Sequence, residues 1–209
     1  LEAISGAVEL IQSDIPDHAP AQKYLSVIRE EIGILNNYVR EILDLTKPEV
    51  PQPLPTYLRP LAEETALLLS PLSQKRNITL SVEEGATSPL CRVDRAQIKR
   101  ALLNLVLNGI EACSAGGSVN IRVEGKDGDG WIYIQDSGCG IPRKIRDKIF
   151  EPYFTTRREG TGLGLSISKR IIEWNGGSLG IESEEGKGTE VWIRFPGEEA
   201  GSGTNPVGG

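Results

Sequence analysis

Apolar residues along the chain recur first at helical spacing, then give way to a run of prolines, then return in a mixture of helical and alternating patterns. Leu1, Ile4, Val8 and Ile11 stand three and four residues apart, the spacing of one helix face. Pro16 and Pro20 interrupt this pattern, and a second stripe of Ile28, Ile32, Leu35, Val39 and Ile42 predicts a long helix over 21–46. Such a helix would run about 39 Å. A hairpin of two helices cannot bury both stripes by itself. The expected completion is a second copy of the chain, giving a four-helix bundle; the alternative lays the hairpin on the rest of the same chain.

Lys47 to Pro55 holds four prolines in nine residues and reads as an extended linker. Beyond it the pattern mixes helices and strands. Helices are expected over 58–75, 94–114 and 143–150 and from the glycines near 160 onward, with strands over 78–82, 90–93, 118–124, 131–136, 178–183 and 189–195. The glycine-rich end, 197–209, reads as a flexible tail. The organisation predicted is α+β: a helical hairpin (1–47), a linker (48–56), a mixed domain (57–197) and a tail (198–209).

Bulk composition narrows the function. A formal charge of −6 on 209 residues argues against general nucleic-acid binding, which needs a basic face. Cys91, Cys113 and Cys139 lack metal-ligand spacing and read as free thiols of a reducing compartment. No apolar run approaches the length of a membrane span. With no methionine and with Leu1 already inside a helical pattern, the expectation is a cytoplasmic fragment of a longer protein, any membrane anchor lying outside these residues.

Three stretches hold candidate chemistry. In 94–114, Asp94 is placed to cap a helix on which Gln97, Arg100, Asn104, Asn108 and Glu111 share one narrow face. Two half-buried amides one turn apart call for partners, and an amide oxygen suits Mg²⁺; the same stripe also fits an ordinary amphipathic helix facing water. Asp136 ends a strand and precedes Gly138 and Gly140, so a base could approach bare backbone with the carboxylate accepting from its exocyclic amine, or the segment could be a simple Asx turn. Gly160, Gly162 and Gly164 alternate into the last helix, behind Thr155, Thr156, Arg157 and Arg158. Bare N–H groups at a helix start hold phosphate, and a tight turn would use the same glycines. His18, the one histidine, sits between prolines and is assigned no chemistry.

In order, Asn104 to Ala112, Asp136 to Gly140, Phe150 to Thr156 and Gly160 to Leu165 closely resemble the asparagine, first glycine, phenylalanine and second glycine boxes of sensor histidine kinases. The resemblance implies a two-layer α/β sandwich shared with gyrase, mismatch-repair ATPases and a heat-shock chaperone. It implies ATP and Mg²⁺ as ligands, with Asn108 on the metal and Asn104 on the metal or the phosphates. Asp136 would bind the adenine amine, with room from Gly138 and Gly140 and with Thr189 helping through water. Gly160, Thr161, Gly162, Leu163, Gly164 and Leu165 would wrap the triphosphate under a lid of Thr155, Thr156, Arg157 and Arg158.

It implies further that residues 1–47 form a homodimer carrying the phosphoacceptor region, and that a response-regulator receiver domain is the partner. Two features depart from the family pattern. Glu111 stands where many members carry a phosphate-binding lysine, as in the nitrogen-regulation type, which shifts charge compensation to the lid arginines. The acceptor histidine motif is not found in these residues, so this chain is expected to bind Mg-ATP without phosphorylating itself. An ATPase of the same fold would place a glutamate base where Asn104 stands; a nucleotide-switched dimerisation module is the other reading.

Overall fold

The computed structural model describes residues 2–14, 21–29, 32, 50–83, 88–157 and 160–197. The chain divides into two compact units, Leu1–Glu49 and Val50–Gly209. In the first, α1 (Glu2–Asp14) and a second helix, α2 (21–29), form a hairpin. Val8, Leu25 and Ile32 are buried together between them, and Gln22 Nε2 donates to the Gln12 carbonyl at 3.0 Å. Ile4, Leu10, Ile11, Tyr24, Val27 and Ile28 remain exposed within this unit. Leu35, Val39, Ile42 and His18 lie outside the described residues.

The second unit is a two-layer sandwich. Strands β1 (Leu54–Tyr57) and β3 (Leu90–Val93) pair as a separate antiparallel ladder. Strands β2 (Thr79–Val82), β4 (Ser118–Lys126), β5 (Asp129–Asp136), β6 (Ser178–Glu184) and β7 (Gly188–Phe195) form a sheet in the order β2-β4-β5-β7-β6, parallel only between β2 and β4. Helices α3 (Leu58–Lys75), α4 (Arg95–Ala112) and α5 (Gly164–Trp174) cover one face.

The alternation in β4, β5 and β7 turns Val119, Ile121, Val123, Ile132, Ile134, Val191, Ile193 and Phe195 toward those helices. From α4 come Ile98, Leu102, Leu105, Val106 and Ile110, each at most 2% exposed. Full burial of such a side chain contributes about 1.5–3 kcal/mol, so this helix is held firmly and its opposite face is fixed in space.

Two expectations change. The linker ends earlier than its prolines imply, because Leu54 to Tyr57 pair with β3; Pro55 is tolerated on a two-stranded ladder, where a missing N–H costs little. The helix expected over 143–150 is only a 3₁₀ turn, Arg146–Lys148, within a chain of three-residue turns from Pro142 to Phe154. Eight residues bounded by Pro142 and Pro152 are too few to repay α-helix nucleation. Of the tail, Gly197 bridges to Cys91 and the remainder lies outside the described residues. Among the described residues no helix is long and apolar enough to cross a membrane.

Candidate functional site

The site is built on the outward stripe of α4. Asp94 caps the helix, its Oδ1 accepting from the N–H of Ala96 at 3.0 Å and of Gln97 at 3.1 Å. With the apolar face locked on the sheet, Asn104, Asn108 and Glu111 fall on the remaining face at one-turn intervals. The sequence asks what partners the two amides. Asn104 Nδ2 donates to Ser168 Oγ of α5 at 2.8 Å, and Asn108 receives Arg157 of the lid. Both amides are therefore engaged by the protein itself.

At one end of this wall β5 delivers Asp136, which pairs in register with Thr189 of β7. Both are under a tenth exposed. Asp136 Oδ1 accepts from the Gly138 N–H at 2.8 Å. Burial pushes the Asp136 carboxyl above the usual carboxylate range, against the opposing pull of the N–H groups of Gly138 and Thr189. A cavity of about 490 Å³ lies against the ends of β5, β6 and β7; Asp136, Thr189, Arg146 and Lys187 line it beside the carboxylates of Glu182, Glu184 and Glu190, and no residue of α4 or of 155–165 is among its walls.

The two box glycines have a packing duty that the sequence did not reveal. A Cβ on Gly138 would sit 2.7 Å from Ala112, and one on Gly140, at φ +67°, would sit 2.1 Å from the Glu184 carbonyl oxygen. The space a side chain would need is filled by the protein's own backbone.

The segment expected as the lid, Thr155 to Thr161, is described except for residues 158 and 159. Thr155 and Thr156 are exposed, and Thr155 Oγ1 accepts from the Arg157 N–H at 3.1 Å. Gly162, at φ +69°, lets the chain pass against the backbone of Tyr153, where a Cβ would approach to 2.4 Å. Gly164 opens α5 and brings it against Asn104, whose Oδ1 would lie 2.6 Å from any Cβ. The residue before the helix, Leu163, provides no side-chain cap for the first N–H groups of α5. Gly160 lies beside Thr155 Oγ1, and Thr161 Oγ1 accepts from the Leu163 N–H at 3.2 Å. Leu163 is 3% exposed and Leu165 packs on the core, so these two present backbone rather than side chain to the site.

Arg157 crosses from the lid to α4. Its Nη1 forms an ion pair with Glu111 and reaches Asn108 Oδ1 at 3.4 Å, while Nη2 donates to the Asn108 carbonyl at 3.2 Å. Arg157, which the resemblance implies would meet the phosphates, is held here by Glu111 and Asn108. Arg158 lies outside the described residues.

Three further residues complete the site without having been singled out. Ser168 is 1% exposed inside the apolar stripe of α5, and Ser183 stands at an inward position of β6 where Leu179 and Ile181 are apolar. A polar residue on an apolar periodicity was the available signal for both. Arg146 donates from Nη2 to the Ser183 carbonyl, tying the loop after the first glycine box to β6.

The arrangement can hold an elongated anionic ligand with an amine at one end. A buried carboxylate marks one end, and helix N–H groups without a side-chain cap mark the other. Against known proteins, residues 93–199 match the model of the histidine kinase-, DNA gyrase B- and HSP90-like ATPase family. The chain is 35% identical to the signal transduction histidine-protein kinase AtoS of Escherichia coli over 198 residues, which is 94% of this chain and 32% of that protein.

Full-length ShkA solved with AMPPNP is similar in structure, with a TM-score of 0.77 at 26% identity over 85% of this chain and 39% of that one. Histidine kinase ThkA, solved with the response regulator TrrA, gives 0.70 at 30% identity, covering 93% and 57% respectively. The chain spans about a third to two-fifths of the curated relatives it matches, 32% of AtoS and 42% of the sensor kinase ZraS of Escherichia coli. Sheet, helices, ordered boxes and family match agree: the chain belongs to the histidine kinase-, DNA gyrase B- and HSP90-like ATPase family and is homologous to the ATP-binding core of sensor histidine kinases.

Proposed function

We propose that this chain binds Mg-ATP in the cleft between α4, the lid and the strand ends, and that the protein containing it transfers the γ-phosphoryl group to a histidine and then to an aspartate of a response-regulator receiver domain. The observation that carries this reading is the pairing of a buried, doubly N–H-bonded Asp136 with the Asn108 and Arg157 contact across the same wall. Asp136 receives the adenine amine, Thr189 assists, and the first N–H groups of α5 after Gly160, Gly162 and Gly164 receive phosphate oxygens.

Magnesium fits the donor set. Asn108 Oδ1 is a hard oxygen of the kind such an ion takes, and the guanidinium of Arg157 already rests on it, so the place favours positive charge. When bound, the ion would neutralise charge developing between the β- and γ-phosphates. Arg157 would then exchange Glu111 for phosphate. Asn104, bonded to Ser168, has no basic atom with which to activate water, which favours transfer over hydrolysis.

The hairpin unit supports association with a second copy, because Ile4, Leu10, Ile11 and Ile28 remain 43–67% exposed. The receiver partner rests on the kinship with ThkA. The test is to incubate the full protein that contains this sequence with γ-labelled ATP and Mg²⁺. Acid-labile label on a histidine other than His18, chased onto a receiver domain, is expected; label released only as free phosphate would overturn the transferase reading.

A further inference from the structure

Ser183 Oγ is the meeting point of three hydrogen bonds. It accepts from the Ile141 N–H at 2.8 Å, it donates to the Gly188 carbonyl at 2.9 Å, and it lies 2.9 Å from Thr189 Oγ1. A hydroxyl has one proton and a carbonyl can only accept, so the Ser183 proton is committed to Gly188. The bond between Ser183 and Thr189 then takes its proton from Thr189. Thr189 Oγ1 is left with lone pairs only.

Beside it the Asp136 carboxylate already accepts from the N–H groups of Gly138 and Thr189, and both residues line the same cavity. The Asp136–Thr189 pair therefore offers acceptors and no hydroxyl donor, the side-chain N–H donors of the cavity's lining being those of Gln135, Arg146 and Lys187. An exocyclic amine has two protons for such a site, whether directly or through one water that donates to Thr189 and accepts from the amine. An oxo group set against Asp136 and Thr189 themselves would face lone pairs.

Resting on the nucleotide reading above, we infer that Ser183 is a specificity-determining residue: by holding Thr189 as an acceptor it makes the cleft select a 6-amino purine over a 6-oxo purine. It acts through Thr189 and touches no ligand itself. Its carbonyl, fixed by Arg146, and its bond from Ile141 keep β6 in the register this requires.

The probes are ATP and ITP, which differ in the amine and oxo group at that position. Calorimetric affinities for both are measured with the 209-residue chain, checked for folding by circular dichroism. The wild type is expected to prefer ATP. In Ser183→Ala the Thr189 hydroxyl is free to turn and donate, and the ATP-to-ITP preference falls about three- to tenfold, the effect of one hydrogen bond gained or lost.

Ser183→Thr restores the preference. Thr189→Val lowers it, and adding Ser183→Ala to Thr189→Val changes it no further. Equal weakening of both nucleotides in Ser183→Ala means that Ser183 only braces the loop, and overturns the inference. Should Ser183→Ala not fold, full preference retained by Thr189→Val overturns it as well. A wild-type chain that binds neither nucleotide overturns the nucleotide reading itself, a result distinct from an unchanged ratio.

Discussion

Replacing Glu111 by Gln should tighten Mg-ATP binding. In the structure the Arg157 guanidinium is engaged by the Glu111 carboxylate and by Asn108, so it must leave Glu111 before it can meet a phosphate. Whatever that ion pair contributes to the nucleotide-free structure is subtracted from nucleotide affinity. The side chains are 42% and 29% exposed, which places the pair among screened surface ion pairs worth about 0.2–1 kcal/mol. That energy corresponds to a gain in affinity of about 1.4- to fivefold at 25 °C. Loss of a carboxylate near a triphosphate acts in the same direction, and both effects shrink with added salt.

The assay is isothermal titration with Mg-ATP at two ionic strengths, run on wild type, Glu111→Gln, Arg157→Ala and the double variant. A double-mutant cycle isolates the coupling. Arg157→Ala should bind more weakly, and Glu111→Gln should gain clearly less in that background. If Glu111→Gln weakens binding instead, Glu111 positions Arg157 for phosphate and the exchange argument is wrong.

The pH dependence of Asp136 has a definite sign. Its folded-state carboxyl is raised by burial, so the folded domain disfavours the ionised form: relative to Asp136→Asn, wild-type stability should decline as pH rises from the ordinary aspartate range through the raised value, while Mg-ATP affinity should grow over the same interval. Melting and titration series on both proteins check this, the difference cancelling nearby groups such as Glu184 and Lys187; a stability difference that grows with pH would contradict it. Asp94→Ala removes the cap on Ala96 and Gln97 and the bond from the Gln52 N–H. It should cost about 1 kcal/mol, or about 2–4 °C in Tm by calorimetry, with nucleotide affinity unchanged.

What the sequence disclosed follows the range of the interactions involved. The α4 stripe, its Asp94 cap and the alternation of β4, β5 and β7 are set by neighbours within one turn or one pleat, and they read directly. Pro55 misled because its partner Arg92 is supplied from β3, well outside any local window. The 143–150 segment misled because apolar spacing fits a helix while length forbids one. Gly138 and Gly140 read as bare backbone, and that Ala112 and Glu184 fill the space a side chain would need there is a long-range contact no local pattern carries.

The contact of Arg157 with Glu111 and Asn108 joins residues nearly fifty positions apart, and the bond of Ile141 to Ser183 spans forty-two. No periodicity encodes such pairs. Ser168 and Ser183 were visible only as polar residues on apolar stripes, a cue that identifies an oddity without naming its partner.

Whether Asp136 and Asn108 bracket one nucleotide is tested most directly by calorimetric titration of this chain with ATP, with and without Mg²⁺, beside Asp136→Asn and Asn108→Ala. Saturable binding is expected that strengthens with Mg²⁺, is lost in Asp136→Asn, and in Asn108→Ala persists without its magnesium dependence. Binding of equal strength in all three proteins, or none in the folded wild type, would contradict it.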